Sequence, residues 1–451
     1  MTSLFNRSSL VGRPQGASLA ADFMKLACIA DDFTGATDLA NNLVRAGMRV
    51  VQTIGVPAGG APVEADAVVV ALKSRTIPAA EAVAESLAAL RWLLSLGPGD
   101  AAPQVYFKYC STFDSTAHGN IGPVSEALMD ALGCTLTIAT PAFPDNGRSV
   151  FKGHLFVGDV LLSESGMQHH PLTPMTDPNL VRVLQSQCTR PVGLVEYRTV
   201  QAGAQAIRQR LDALRAAGTG LAVVDAVTNE DLMRIGEAVA ELPLVTAGSG
   251  LAIGLPPRWG FVPNEHASRL PAVRGRQAIV SGSCSMMTNR QVRAFIDAGG
   301  TALAIDPLRQ AEGADVAGEA LAWAREHLAH APVLIYSTAE PGAVKAVQQR
   351  LGAQHAGEMV ERCLADIARG LVQLGVGQLI VAGGETSGAC VQALGIGSLQ
   401  IGPQIDPGVP WCHAHSTVAR GGLHLALKSG NFGAADFFSK AFEVLATSPA
   451  R

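Results

Sequence analysis

Two adjacent acids, Asp31 and Asp32, follow a short apolar run and precede Thr34 and Gly35. In open α/β sheets the carboxyl ends of parallel strands line the ligand crevice. A carboxylate placed there can act as a general base, anchor a metal ion or bind a hydroxyl group. Because neighbouring strand residues point to opposite faces, we expect only one of the two acids to enter the site. The alternative is that these residues merely cap the following helix, a position that Asp and Thr both favour.

A second polar cluster begins at Lys108, one of only seven lysines in the chain. It closes an apolar run and is followed, within residues 111–116, by four hydroxyl residues and Asp114. Arg75 follows another apolar run and can pair with a carboxylate through two hydrogen bonds. A cation with several convergent donors suits a small polyhydroxylated carboxylate, whose counterion we expect to be Arg75 or Lys108. The alternative is a polar loop that makes only turn and cap hydrogen bonds.

A third motif, Gly-Gly-Glu-Thr-Ser-Gly at residues 383–388, also follows an apolar run and opens a helical pattern. Glycines let a phosphate approach the backbone, and the N–H groups of a helix start attract its charge. Small and hydroxyl residues recur at residues 280–285 and 428–433. Three such segments in one half of the chain favour a nucleotide over ordinary tight turns. The sequence contains no G-x-x-x-x-G-K-[ST] motif, so a P-loop is excluded.

The elements that must position these motifs alternate between strands and helices, which predicts crossover units and mostly parallel sheets. We therefore expect an α/β fold made of two α/β domains with an active-site cleft between them. Strands are predicted at residues 26–30, 50–54, 67–72, 105–108, 135–139, 222–225, 244–247, 277–280, 302–305, 333–336 and 378–382. Helices are predicted at residues 38–46, 80–95, 124–132, 204–216, 287–298, 319–330 and 358–374.

The domain boundaries follow from where this alternation stops. Residues 1–23 lack apolar periodicity and the apolar stretch of a secretory signal, so a flexible N-terminal extension is predicted. Residues 24–255 form the first predicted domain, which carries the two acid-containing motifs. A proline-rich, aperiodic linker at residues 256–273 precedes the second domain, residues 274–451, with the glycine-rich motifs.

The composition narrows the class of protein. Of 451 residues, 48% are hydrophobic and 16% charged, with a net charge of −4, which argues against a disordered chain and against nucleic acid or an anionic membrane as partner. No apolar run reaches the length of a transmembrane helix. Eight scattered cysteines without a C-x-x-C pair predict free thiols in a reducing cytoplasm. Cys412, His413 and His415 lack a distant second pair of ligands, so no zinc site is predicted.

A polar-substrate domain, a phosphate-binding domain and a cleft between them suit phosphoryl transfer, where positioning and charge neutralisation supply most of the catalysis. The competing class is a two-domain small-molecule-binding protein without chemistry. The adjacent acids beside the expected cleft argue against that class.

Three segments together resemble the four-carbon acid sugar kinases: residues 29–36 (Ile-Ala-Asp-Asp-Phe-Thr-Gly-Ala), residues 111–116 with 119–122 (Ser-Thr-Phe-Asp-Ser-Thr and Gly-Asn-Ile-Gly), and residues 383–388. Residues 171–177 (Pro-Leu-Thr-Pro-Met-Thr-Asp) and 405–411 (Ile-Asp-Pro-Gly-Val-Pro-Trp) support the resemblance, which runs from about residue 24 to residue 438. Within the family, the chain is most similar to the kinases that act on 3-oxo-tetronates at C4.

The resemblance implies a sugar-acid-binding domain at residues 24–255 and an ATP-binding domain at residues 274–451. ATP would be the co-substrate, with Mg²⁺ as its counterion and no dedicated metal site in the protein. The implied reaction phosphorylates the C4 hydroxyl of a 3-oxo-tetronate, and D-threonate or D-erythronate 4-kinase activity is the alternative. The implied small-molecule partners are the sugar acid and ATP, and a homo-oligomer stays open.

The resemblance also assigns site residues by position. Of the two adjacent acids, the position in the chain itself favours Asp32 as the catalytic base, because it is nearer the turn and the helix start. Asp31 would then hold other hydroxyl groups or help to orient Mg²⁺ through water. The substrate contacts fall among Asp31, Asp32, Arg75, Lys108, Asp114 and Asn120. The nucleotide contacts are Ser281 or Ser283, with Gly383, Gly384, Glu385, Thr386 and Gly430.

Overall fold

The computed structural model describes residues 24–58, 64–97, 102–170, 173–339, 349–350, 352–419 and 421–447. The predicted N-terminal extension and the first two residues of the 171–177 motif lie outside the described residues. No helix in these ranges is long and apolar enough to cross a bilayer.

The N-terminal part of the chain contains eight parallel strands of one sheet. These strands are β1 (Leu26–Ala30), β2 (Val50–Ile54), β3 (Ala67–Ala71), β4 (Gln104–Lys108), β5 (Thr137–Thr140), β9 (Val192–Val195), β10 (Leu221–Val224) and β11 (Leu244–Ala247). The helices among them are α1 (Phe33–Arg45), α2 (Ala79–Ser95), α3 (Ile121–Ala131), α4 (Leu180–Gln185), α5 (Tyr197–Gln201), α6 (Ala204–Ala216) and α7 (Asn229–Ala238).

A separate antiparallel sheet interrupts this series between β5 and α4. It consists of β6 (Arg148–Phe151), β7 (His154–Val157) and β8 (Val160–Leu161). Short 3-10 helices lie nearby at Pro144–Asn146, Leu162–Glu164 and Gly166–His169. Two more, at Ser249–Gly254 and Pro256–Trp259, lead into the predicted linker.

The C-terminal part adds five parallel strands and an antiparallel hairpin. The parallel strands are β12 (Arg276–Ser281), β13 (Thr301–Ala304), β14 (Val333–Tyr336), β15 (Val376–Ala382) and β18 (Leu423–Lys428), and the hairpin is β16 (Ser398–Asp406) with β17 (Val409–Ala414). The helices are α8 (Met286–Asp297), α9 (Pro307–Ala311), α10 (Val316–His327), α11 (Ala353–Gln373), α12 (Gly384–Ala393) and α13 (Phe437–Thr447).

The two sets of parallel strands join into one 15-stranded sheet, in the order β13-β14-β12-β15-β18-β17-β16-β2-β3-β1-β4-β11-β5-β10-β9. The junction consists of the three antiparallel steps β18–β17, β17–β16 and β16–β2. The predicted α/β fold with mostly parallel strands is confirmed. The sequence-based picture of two sheets misses this antiparallel junction between them.

The core lies on both faces of the sheet, and alternate strand residues point to opposite faces. In β12, Ala278 and Val280 belong to the large apolar cluster that extends through the N-terminal part. Their neighbour Ile279 packs on the other face in a smaller cluster with Trp411 and Phe437. Continuous apolar runs form these strands because helices cover both faces of a parallel sheet.

Candidate active site

Asp31 and Asp32 follow β1, and both accept hydrogen bonds from Arg75. The guanidinium binds Asp31 through two bonds of 2.9 Å, from Nε to Oδ2 and from Nη2 to Oδ1. Its Nη2 also lies 2.5 Å from Asp32 Oδ1, and its Nη1 lies 3.6 Å from Asp114 Oδ2. Asp114 in turn accepts a 2.6 Å hydrogen bond from Thr112. The structure thus brings these predicted residues together, but Arg75 is already shared among three aspartates.

Lys108 ends β4 beside the same acids. Its Nζ is 3.4 Å from Asp32 Oδ1, and its side chain is 3% exposed. The ammonium lies against the first turn of α1, where a Cβ on Gly35 would come within 1.7 Å of Nζ. Burial disfavours the charged amine, but Asp32 and Asp31 together raise the pKa of Lys108 above its usual value. The lysine is therefore charged and paired.

Asp32 is also the N-cap of α1. Its Oδ1 accepts a hydrogen bond of 3.2 Å from the Gly35 amide, and its Oδ2 accepts one of 2.9 Å from the Thr34 hydroxyl. The capping interpretation is therefore correct for this residue. It does not exclude a role in the site, because the same carboxylate also contacts two cations.

The two acids differ in their protonation behaviour. Burial raises the pKa of Asp32, but the charges of Arg75 and Lys108 outweigh burial and hold that pKa well below its ordinary value. Burial raises the pKa of Asp31, and Arg75 offsets only part of this effect. Asp32 borders the open cleft, whereas Asp31 is only 5% exposed. Of the two acids, Asp32 is thus the ionised one that lines a cavity.

Asn120 holds the loop that carries Arg75. Its amide nitrogen donates to the backbone carbonyls of Ser74 at 2.7 Å, Arg75 at 3.2 Å and Ile77 at 2.9 Å. Its Oδ1 is buried without a hydrogen-bond partner among the described residues. In the structure as it stands, Asn120 orders the neighbouring loop, which places Arg75 against the acids.

Sequence reasoning missed a buried pair close to these residues, Asp38 and Ser249. The Ser249 hydroxyl donates to Asp38 Oδ2, and Asp38 Oδ1 has no hydrogen-bond partner in the described part of the chain. Burial raises the pKa of Asp38. Ser249 follows β11 within Gly-Ser-Gly, the same kind of strand end that marked the other motifs. That signal could have been recognised, whereas nothing local singles out Asp38 on its helix.

The glycine-rich segments of the C-terminal part surround a cavity of about 690 Å³. Its lining includes Ser283, Gly383, Gly384, Glu385 and Thr386 from the predicted set. Gly383 has a φ of 132° and no side-chain cap completes the start of α12. The first N–H groups of a helix have no partner within it, so this start can bind an anion.

The remaining predicted nucleotide residues occupy different places. Ser281 is fully buried, and its hydroxyl lies 2.7 Å from that of Thr338. Gly430 faces the serines behind the cavity, because a Cβ there would lie 2.7 Å from Ser283 Oγ. Of the two serines offered as alternatives, Ser283 is the one that lines the cavity.

Lys428, at the end of β18, is another buried cation that the sequence did not single out as a site residue. It is 0% exposed, and its ammonium donates to the Thr288 hydroxyl at 3.1 Å and to the carbonyls of Ser429 and Gly430 at 3.0 Å. Burial lowers its pKa to about 7. Lys428 thus fixes the turn after β18 against the start of α8.

A second cavity, of about 720 Å³, connects the two groups of residues. Asp32 and Lys73 line it from the N-terminal part, and Glu361, Gly384 and Glu385 line it from the C-terminal part. The last three residues also line the first cavity. The ionised carboxylate and the glycine-rich helix start therefore face one continuous cleft.

Comparison with known proteins identifies the family of this chain. A family model described as a sugar-binding N-terminal domain matches residues 26–255, and one described as a nucleotide-binding C-terminal domain matches residues 278–438. A 3-oxo-tetronate kinase of Burkholderia multivorans is 59% identical over 424 residues, which cover 93% of this chain and 97% of that protein. The chain belongs to the four-carbon acid sugar kinase family.

Other relatives agree with membership of the four-carbon acid sugar kinase family. A 3-oxo-tetronate kinase of Pseudomonas fluorescens is 59% identical over 428 residues, which cover 93% of this chain and 97% of that protein. The 3-oxo-tetronate kinase of Methylobacterium radiotolerans is 50% identical over 431 residues, with 94% and 100% covered. The chain is accordingly a sugar-acid kinase, a phosphotransferase that uses a nucleotide and a small-molecule substrate.

Two solved structures share the fold of this four-carbon acid sugar kinase. A Haemophilus influenzae protein has a TM-score of 0.78 and 44% identity, with 92% of this chain and 99% of that chain covered. A Salmonella typhimurium LT2 protein described as a tRNA synthase has a TM-score of 0.84 and 46% identity, with 92% and 98% covered.

Proposed function

We propose that this chain is an ATP-dependent kinase that phosphorylates the C4 hydroxyl of a 3-oxo-tetronate. The observation that carries the proposal is the shared cleft, where Asp32 faces the glycine-rich start of α12 across one cavity. The relatives named 3-oxo-tetronate kinase support the choice of substrate. Because the proposed enzyme consumes ATP, we also propose that it acts in the cytoplasm.

In the proposed reaction, Asp32 orients the C4 hydroxyl and accepts its proton. The hydroxyl oxygen forms a bond to the γ-phosphorus of ATP, the bond from that phosphorus to the β-bridging oxygen breaks, and ADP leaves. Because Arg75 and Lys108 lower the pKa of Asp32, the carboxylate is a weak base and accepts the proton late, as the bond to phosphorus forms. General-base assistance contributes at most about 10²–10⁴-fold. Arg75 and Lys108 keep Asp32 ionised and fix its orientation, and Asp31 holds Arg75 in place. Asp114 and Asn120 are the remaining proposed substrate-binding residues.

The nucleotide is proposed to bind with its phosphates at the start of α12 and its base in the 690 Å³ cavity. The N–H groups near Gly383 and Gly384 would hold the phosphates, because a helix start favours negative charge. Ser283 and Thr386 add hydroxyl groups at the cavity wall. Gly430 allows the close approach of Ser283. Ser281 is buried in β12, where it would support the cavity wall and not contact the nucleotide directly.

Mg²⁺ fits the carboxylates that border both cavities, Glu361 and Glu385. Burial raises the pKa of Glu361 and the neighbouring Glu385 adds to this rise, while Lys73, whose Nζ lies 3.3 Å from Glu385 Oε2, offsets part of it. A cation near Glu361 would therefore be stabilised. The described residues contain no group of three or more side chains suited to a metal. Mg²⁺ would therefore share its ligands with the ATP phosphates and water, and would neutralise the developing phosphate charge.

The decisive experiment measures ADP release with ATP and a panel of acids: both enantiomers of 3-oxo-tetronate, D-threonate and D-erythronate. We expect the highest kcat/KM with one 3-oxo-tetronate enantiomer. A preference for D-threonate or D-erythronate would move the enzyme to the alternative specificity of the same family. Binding of an acid without ADP release, measured by calorimetry, would favour a non-catalytic binding protein.

A further inference from the structure

The carboxylate of the substrate needs a cation that is not already neutralised. The two cations expected for this role from the sequence are both engaged. Arg75 contacts Asp31, Asp32 and Asp114, and the Lys108 ammonium lies beside Asp32. An added carboxylate at either one would meet the negative charge of Asp32. A cation without an ion pair is therefore a better counterion for the substrate than either of these two.

Arg148, the first residue of β6, has the required free charge. Its guanidinium donates one hydrogen bond, from Nη1 to the Asn146 carbonyl, and it forms no ion pair with a described residue. Its Nε is buried and has no partner in the part of the chain that the structure describes. Burial lowers the pKa of Arg148, and the nearby Asp114 and Asp38 offset only part of this effect. A partly buried guanidinium that has no ion pair is a binding group for an anion.

The backbone holds Arg148 at the edge of the acid cluster. Arg148 pairs with Phe143, with hydrogen bonds of 3.0 Å from its amide and 2.8 Å to its carbonyl. Phe143 follows the end of β5, so the arginine approaches the site from the loops beyond the strands. Gly147, in the left-handed region with a φ of 67°, makes the tight turn that precedes it.

Contacts through residues 249 and 250 connect Arg148 with the acid cluster. A Cβ on Gly250 would lie 2.9 Å from the Cα of Phe143, which pairs with Arg148, and the Ser249 hydroxyl donates to Asp38 Oδ2. The charge of Arg148 also acts on Asp38 and Asp114. Asp38 also interacts with Asp32 and Lys108. Asp38 therefore interacts both with the charged groups of the acid cluster and with Arg148. A four-carbon acid has its reacting C4 hydroxyl and its carboxylate at opposite ends, so it needs a separate binding group for each, which Asp32 and Arg148 can supply.

We infer that Arg148 binds the substrate carboxylate and thereby selects sugar acids over uncharged sugars. This inference rests on the proposed function and assigns the specificity of that same site. A guanidinium can bind a carboxylate through two parallel hydrogen bonds, which also fixes the orientation of the carbon chain. The carboxylate would then lie away from Asp32, and the C4 hydroxyl would be directed toward it.

The test compares 3-oxo-tetronate with erythrulose, in which a hydroxymethyl group replaces the carboxylate and the reacting hydroxyl is retained. Losing one partner of a desolvated charged pair costs enough to lower kcat/KM by about thirtyfold or more. We expect Arg148→Met to show this loss for 3-oxo-tetronate while kcat/KM for erythrulose stays unchanged. Arg148→Lys should recover part of the activity toward the acid, because it restores the charge without the two-pronged geometry.

Arg215→Met is the matched control, since Arg215 pairs with Asp212 in an exposed position on α6. It should leave both substrates unaffected. Equal losses for acid and erythrulose in Arg148→Met, or no loss for either, would overturn the assignment. If Arg148→Met fails to fold, the Arg148→Lys variant decides: an unchanged preference for acid over erythrulose, together with unchanged calorimetric affinity for the acid, contradicts the inference. Failure of the proposed function is distinct, since the wild type would then release no ADP with 3-oxo-tetronate.

Discussion

At the scale of single residues, the Asp32 carboxylate serves local structure and the site at once. It caps α1 through Gly35 and Thr34, and it lies beside Arg75 and Lys108. These cations hold its pKa well below the ordinary value, so Asp32 stays ionised through the neutral pH range. A permanently ionised carboxylate can orient a hydroxyl group without waiting for deprotonation.

Replacing Asp32 by Asn separates capping from catalysis, because Asn caps helices about as well as Asp. We expect Asp32→Asn to lower kcat by at least about a hundredfold. The melting temperature should fall as well, because Lys108 then keeps a buried charge without its nearest carboxylate. Steady-state kinetics, calorimetry with ATP and thermal melts measure the three effects.

ATP affinity should be unchanged in that variant, since Asp32 lies on the opposite side of the cleft from the nucleotide cavity. Asp130→Asn is a suitable control, because Asp130 pairs with Arg190 while its own side chain is 69% exposed. Turnover of Asp32→Asn within a few-fold of the wild type would show that Asp32 is not the base.

At the scale of helices and strands, the sequence predicted most of what buried parallel strands require. The predicted strands at residues 26–30, 50–54 and 244–247 match the observed bounds of β1, β2 and β11. The clearest of these is β1, because its continuous apolar run identifies a strand covered on both faces. Strand β16 was missed because Gly402 and Pro403 interrupt it, where its pairing with β17 shifts register. Both residues normally indicate turns.

Some features of the candidate site could not be predicted from the sequence, because they depend on capping and on tertiary structure. The helix predicted from residue 38 begins at Phe33, because the Asp32 cap starts it one turn earlier than the apolar periodicity shows. The motifs located Asp32, Arg75 and Lys108, which all lie near strand ends. Arg148 lies on a hairpin outside the main sheet, and only tertiary structure allows its charge to act on Asp38.

The start of α12 offers a direct test of nucleotide binding. A Cβ on Gly384 meets no atom within 4 Å, so a side chain there would project into the cavity without disturbing the protein. We expect Gly384→Val to weaken ATP binding by about tenfold or more, since overpacking costs roughly 1–3 kcal/mol. Isothermal calorimetry measures the change.

Gly388→Val is its matched control. Gly388 lies one turn further along the same helix, also has open space at its Cβ, and borders only the cleft. The ATP affinity of the Gly388→Val variant should stay at the wild-type value. Equal affinities for Gly384→Val and the wild type would show that phosphates bind away from this helix start.

Lys428 predicts a pH effect on stability at the junction of β18 and α8. Its pKa is about 7 in the folded protein because of burial, and its ordinary value is 10.5. Between these values the unfolded chain binds more protons than the folded one, so this lysine makes stability rise with pH above about 7. The melting temperature of the wild type should therefore rise relative to that of Lys428→Met between pH 7 and pH 10. A difference that stays constant over this range would contradict the lowered pKa.

At the scale of the whole molecule, the two parts share one sheet through the β16–β2 pairing. Gln52 of β2 lies in this junction, in register with Leu399 of β16. It is fully buried, and neither atom of its amide group has a hydrogen-bond partner among the described residues. A buried polar group without a partner costs about 1–3 kcal/mol. The junction therefore contains a site where stability can be gained.

We expect Gln52→Leu to raise the melting temperature of the whole protein, because it removes the unpaired amide and adds apolar contacts. Gln104→Leu is the matched control, since this buried amide donates to the carbonyls of Val239 and Leu242. That change should lower the melting temperature. Differential scanning calorimetry measures both, and a destabilised Gln52→Leu protein would mean that the amide has a partner, such as a buried water.

The three antiparallel pairings at the junction also affect the relative direction of the two sets of parallel strands. Because their number is odd, the two sets of parallel strands run in opposite senses along the sheet. Six steps separate β15 from β1, and a twist of roughly 20–25° per step rotates one set against the other by about 120–150°. Asp32 and Gly384, which follow the ends of β1 and β15, line the same cavity although the two sets of strands run in opposite senses. Removing the β16–β17 hairpin would take away about 40–50° of that rotation. The hairpin, which holds none of the predicted site residues, thus contributes to the angle between the two sets of parallel strands.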